Sequence, residues 1–134
     1  MSGFIKFIIR PDKKGKWKRK GAYIVVNVFP TLKSLQHAEK KMGYKESDTT
    51  AFWHSNRTGK CIGLLAFSRS CLGGAIVSHE ATHAALAFVS WQLTGKTYGQ
   101  EIIWDDDGEC FALAVGNIVR EIMSKFYKLK IWKY

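Results

Sequence analysis

The sequence predicts an α+β domain in which a mainly antiparallel sheet, drawn from the first half of the chain, packs against two apolar helices from the second. Three observations predict it. Before residue 70, β-branched and aromatic residues gather in short runs separated by turn residues, as strands do. Two longer apolar stretches follow, one ending at Gly95 and one beginning after an acidic cluster at residues 105–107, and both carry helix punctuation. Finally, 134 residues, 46% of them hydrophobic and 24% charged, suit a single domain over residues 1–134 with its own core.

Phe4 to Ile9 and Tyr23 to Phe29 read as the first two strands. The run between them, Lys13-Lys14-Gly15-Lys16-Trp17-Lys18-Arg19-Lys20, is then a hairpin loop. Residues 1–60 carry fourteen Lys and Arg against four acids, and residues 61–134 carry seven against seven, so the whole excess of +10 belongs to the first half. Lys13, Lys14, Lys16, Lys18, Arg19 and Lys20 can grip a phosphate backbone while Trp17 stacks on a base, which makes nucleic acid a candidate partner. A solvated loop tip that discourages edge-to-edge sheet association explains the same run without a partner.

Thr31, after Pro30, is placed to cap a helix whose Leu32, Leu35, Ala38 and Met42 form one apolar stripe, with Gly43 ending it and His37 off the stripe. Thr49 to His54 and Cys61 to Ser68 read as the third and fourth strands, joined by turn residues Ser55 to Gly59. This pair immediately precedes the most informative stretch of the chain, so one of its ends is expected to line a site. His54 is a candidate substrate-facing group there, although a lone strand histidine is usually incidental.

That stretch is His79-Glu80-Ala81-Thr82-His83. On a helix, residues i and i+4 stand about 40° apart around the axis and one turn apart along it, so two imidazoles can meet one ion. Glu80 falls beside the pair, which suits a base acting on metal-bound water. With four His and six Glu in the chain, chance produces this pattern at a frequency of roughly half a percent. Apolar residues surround it, from Ala75 to Val77 and from Ala84 to Val89, which predicts a buried helix stopped by Gly95. After the short apolar segment Glu101 to Trp104, the cluster Asp105-Asp106-Asp107 caps a second helix running through Ile122. Lys128 to Tyr134 alternates and is expected to end as a strand or tail.

A catalytic zinc usually takes three protein ligands and keeps one position open, so a third donor is required. The metzincin pattern is excluded, because Leu86 and Val89 stand where it needs Gly and His. Glu109, in the first turn of the second helix, is the best candidate; Ala112, one turn later, is expected to let the two helices approach. Glu101, Asp105, Asp106 and Asp107 are its rivals.

His79-Glu80-Ala81-Thr82-His83 together with Glu109-Cys110-Phe111-Ala112 resembles the gluzincins, and within them the short single-domain minigluzincins. The chain is also similar to small phage and prophage proteins bearing H-E-x-x-H, in which a run like D-E-E-x-F-A follows. The match covers roughly residues 60–122. The resemblance implies a zincin-like fold, a zinc held by His79, His83 and Glu109, and Glu80 as general base and then acid in the hydrolysis of a peptide or protein substrate. Where that family often places Asp or Asn to orient a histidine, this chain has Leu113, with Asn117 as the substitute. The oxyanion donor is open between Tyr98, His54 and Arg120. An extended substrate is expected along a sheet edge, at Ala51 to His54 or Leu64 to Ser68. The remaining alternatives are a hydrolase of a non-peptide amide and a nucleic-acid- or host-protein-binding module with a structural or vestigial metal.

Cys61, Cys71 and Cys110 are odd in number and lack C-x-x-C spacing, so reduced thiols are expected. Neither a secretory signal nor a run of 18 apolar residues is legible, which predicts a cytoplasmic protein with no membrane partner.

Overall fold

The computed structural model describes residues 4–13, 17–44, 49–56, 59–97 and 106–131, with the backbone alone at 106–108. Its elements are β1 (Ile5–Ile9), β2 (Tyr23–Phe29), α1 (Leu32–Lys41), β3 (Ala51–Ser55), β4 (Cys61–Ser68), α2 (Gly74–Thr94) and α3 (Asp106–Lys128), with one 3₁₀ turn at Arg69–Cys71. The architecture is α+β, with α1 on one face of a four-stranded sheet and α2 and α3 on the other.

The strand order is β1-β2-β4-β3, and the sheet is mixed. β1 pairs antiparallel with β2, from Ile5 against Val28 to Ile9 against Ile24, and β3 pairs antiparallel with β4. The central pair, β2 with β4, is parallel. The chain leaves β2 through α1, returns at the far edge as β3, and turns back as β4 into the gap beside β2. Hydrophobic period identifies strands but not neighbours, so this parallel junction corrects the mainly antiparallel expectation at its centre. β4 is buried along most of its length because helices cover both its faces.

The local chemistry explains the element ends. Thr31 and Ser34 form a reciprocal capping box at the start of α1, and Gly43 lies beyond its end at φ 97°. Gly95 closes α2 in the left-handed region at φ 79° and donates its N–H to the Trp91 carbonyl at 2.8 Å. α3 runs further than the expected Ile122. Lys130 turns left-handed at φ 58°, Ile131 N–H donates to the Phe126 carbonyl at 2.9 Å, and both Phe126 and Ile131 are buried. That Schellman-type stop occupies Lys128 to Ile131, where a strand or tail was expected; the rest of that stretch, residues 132–134, lies outside the described residues.

The basic loop is anchored to the core. Trp17 is 7% exposed and packs edge-on against Phe88 with centroids 4.9 Å apart. Gln92 on α2 clamps the loop backbone, accepting from Arg19 N–H at 2.8 Å and donating to the Arg19 carbonyl at 2.7 Å. Lys13 pairs with Glu121 of α3 at 3.6 Å. The indole is therefore a core anchor, which corrects its expected role as a stacking platform. Lys18, Arg19 and Lys20 are exposed, and Lys14 and Lys16 lie outside the described residues. Among the described residues no helix is long and apolar enough to cross a membrane, and all three cysteines are free.

Candidate metal centre

The topology brings the histidine motif to the start of the edge strand. Ala51, the first residue of β3, lies opposite Phe67 near the end of β4, and the chain then enters α2 after the 3₁₀ turn. The first half of α2 consequently runs beside residues 49–53. β3 alternates, with Ala51 and Trp53 in the core beneath α2, and Phe52 in the smaller core beneath α1. Gly63 of β4 is required here: a β-carbon would collide with the Trp53 indole and the His54 carbonyl.

α2 is apolar on nearly every side, yet it is not buried on every side. Val77, Ala81, Ala84, Ala85 and Phe88 face the core, while His79, His83, Leu86 and Leu93 line an open stripe between sheet and solvent. The two imidazoles meet on that stripe, edge to face, with centroids 5.0 Å apart. His79 is 68% exposed at its side chain. Glu80, beside the pair, is 8% exposed as a residue, and its Oε2 stands 3.9 Å from His79 Nε2. Burial pushes its carboxyl above the ordinary glutamate value, against the opposing pull of His79 and then His83, with Glu39 adding a smaller upward push. A carboxyl so raised is better matched to proton transfer near neutrality than a solvated one.

Two cavities meet at Glu80. One of about 390 Å³ is lined by residues 49–51 of the edge strand and its approach, and by Ala75, Ile76, His79 and Glu80 of α2. The other, of about 270 Å³, is lined by Glu39, Tyr44, Phe52, Trp53, Glu80 and His83, with Ala51 between. Two of these residues were not singled out from the sequence. Glu39 is 4% exposed and accepts from the Thr49 hydroxyl at 2.6 Å. Its signal was present, since Leu35, Glu39 and Met42 share one helix face at i, i+4 and i+7 and a charge there is out of place. Tyr44 follows Gly43, and its hydroxyl bonds His54 Nδ1 at 2.8 Å. His54 is thus tied to Tyr44, which follows α1.

The expected third ligand is not assembled with the pair. Glu109 lies in the first turn of α3 and is exposed, and among the described residues no group of three His, Cys, Asp or Glu side chains is arranged to hold a metal. Glu101 and Asp105 lie outside the described residues, as does Tyr98, and the side chains of Asp106 and Asp107 are likewise outside them. Ala112 is exposed, so the small residue at the helix contact is the fully buried Ala114, with Ile118 and Ile122 following it. Asn117 is buried in structural work, donating to the Pro11 carbonyl at 3.2 Å and accepting from Arg120 at 3.2 Å. The donors present fit zinc as far as two imidazoles at one-turn spacing beside a buried carboxylate.

Comparison with protein-family models, with curated proteins and with solved structures finds no match to this chain.

Proposed function

We propose that this protein is a zinc-dependent metallopeptidase of the gluzincin type, with Glu80 as its general base. The observation that carries the reading is the arrangement on one turn of α2: two adjacent imidazoles on the open face, and a buried carboxylate beside them at the junction of two cavities. His79 and His83 would hold the ion; Glu109 is the third donor the reading requires, and the first turn of α3 would have to approach the pair to supply it. Zinc in such a site supplies an acidified water and a polarising charge for the substrate carbonyl.

The chain's own part is to place and move protons. Glu80 takes a proton at its carboxylate from the attacking water and returns it to the departing amine. Its burial keeps solvent away from that exchange. Among the described residues β3 is an edge strand of the sheet, and its first residue, Ala51, with Thr49 and Thr50 before it, borders the same groove as His79 and Glu80. An extended peptide can add to that edge by main-chain hydrogen bonds, which favours a peptide over a compact amide.

The test is cleavage of an unstructured peptide pool by zinc-supplemented protein, wild type beside Glu80→Gln. The reading predicts that the variant keeps its fold and zinc and loses about 10²- to 10⁴-fold in kcat/KM. Equal cleavage by both proteins, or none by a zinc-loaded wild type, would overturn it.

A further inference from the structure

The second cavity is built of more than the proposed reaction needs. Water activation uses Glu80, but Glu39 comes from α1, on the opposite face of the sheet, and reaches the cavity around the start of β3. Both carboxylates are at least nine-tenths buried. Among the described residues neither is paired with Lys or Arg; Glu39 accepts one hydroxyl, from Thr49, and the basic neighbour of Glu80 is His79, at 3.9 Å. A carboxylate such as Glu39, buried with one hydroxyl to hold it and no basic partner among the described residues, is costly in a free protein, and the cost is offset when a cation enters. The remaining walls suit one. Tyr44, Phe52 and Trp53 line the space, and aromatic faces attract ammonium and guanidinium groups. The chain carries +10 overall, so this acidic pocket is a local inversion of its surface.

We propose that this cavity is a specificity pocket for a positively charged group of the substrate, the ammonium or guanidinium of a peptide lying along β3. The inference rests on the peptidase reading for the peptide, and on Glu39 for the charge. A volume of about 270 Å³ accommodates a lysine or arginine side chain. Glu39 binds the cation by a charge-assisted hydrogen bond, its stem lies against Tyr44, Phe52 and Trp53, and the main chain continues past His79 and Glu80 into the larger groove. The ammonium has two sources, a side chain or the free amino terminus of the peptide, and both present the same chemistry to Glu39.

The experiment is peptide binding to the metal-free full chain, read by tryptophan fluorescence, since Trp53 lines the pocket. Working without metal separates this question from hydrolysis. Acetylated and amidated hexapeptides carry a single Lys, Arg, norleucine or Glu at one central position, and a fifth, neutral peptide is used with its amino terminus free or acetylated. Wild type is compared with Glu39→Gln, which removes the charge and can still accept from the Thr49 hydroxyl. The expected result is binding about tenfold or more tighter for a cationic peptide than for its neutral counterpart. In Glu39→Gln that preference disappears, cationic and neutral peptides then binding alike. Preference for Lys and Arg assigns the pocket to a side chain, and preference for the free amino terminus assigns it to the chain end. Indifference to charge, a preference that survives Glu39→Gln, or failure of every peptide to bind would overturn the proposal, whatever the zinc and cleavage experiments return.

Discussion

At the scale of single residues, Glu80 carries the account, and its environment makes a claim that requires no substrate. Burial raises its carboxyl above the ordinary glutamate value. For an acid raised in the folded state, ionisation opposes folding: stability falls as pH climbs from the unfolded-state value, about 4.3, through the folded one. Glu80→Gln removes that penalty. Thermal unfolding of the metal-free chain is therefore expected to show a higher Tm for the variant at neutral pH and no advantage below about pH 4. Trp17 supports the opposite kind of prediction. As a buried anchor on Phe88, its replacement by Ala costs about 3–5 kcal/mol in urea unfolding, whereas Lys18→Gln or Lys20→Gln on the exposed side of the loop changes stability little. Its burial was not legible in the sequence, because six positive neighbours outweigh one indole in any local reading; what buries it is Phe88, 71 residues away (88 minus 17).

At the scale of elements, the local signals were strong where backbone chemistry sets the outcome. The Thr31 cap, the Gly95 stop and the bounds of β2 and β4 follow from residues at those positions. The order of strands does not, because the parallel junction of β2 with β4 depends on where α1 carries the chain. The same limit hid the pocket: Glu39 stands out on the face of α1, but only the tertiary fold places it with Glu80 and His83. Gly63 ties the elements together at the site. Gly63→Ala forces the Trp53 indole and the β3 backbone away from β4, with an expected cost of about 1–3 kcal/mol and a change in Trp fluorescence of the folded protein. An alanine variant as stable as wild type with unchanged emission would show that β3 is not held against β4 as described.

At the scale of the molecule, the fold sets a helix bearing a histidine pair beside an edge strand, and it backs that helix with α3 on its other flank. The H-E-x-x-H spacing made the pair legible from sequence; Glu109, the expected third donor, is not brought to the pair among the described residues, because helix approach is set by tertiary packing. The measurement that tests the central claim most directly is the zinc content of the purified chain after dialysis against a weak chelator, wild type beside His83→Ala and Glu109→Ala. The account predicts one zinc per wild-type chain and a large loss in both variants, each still folded by circular dichroism. A folded wild type without zinc, or a His83→Ala variant that retains it, would contradict the account.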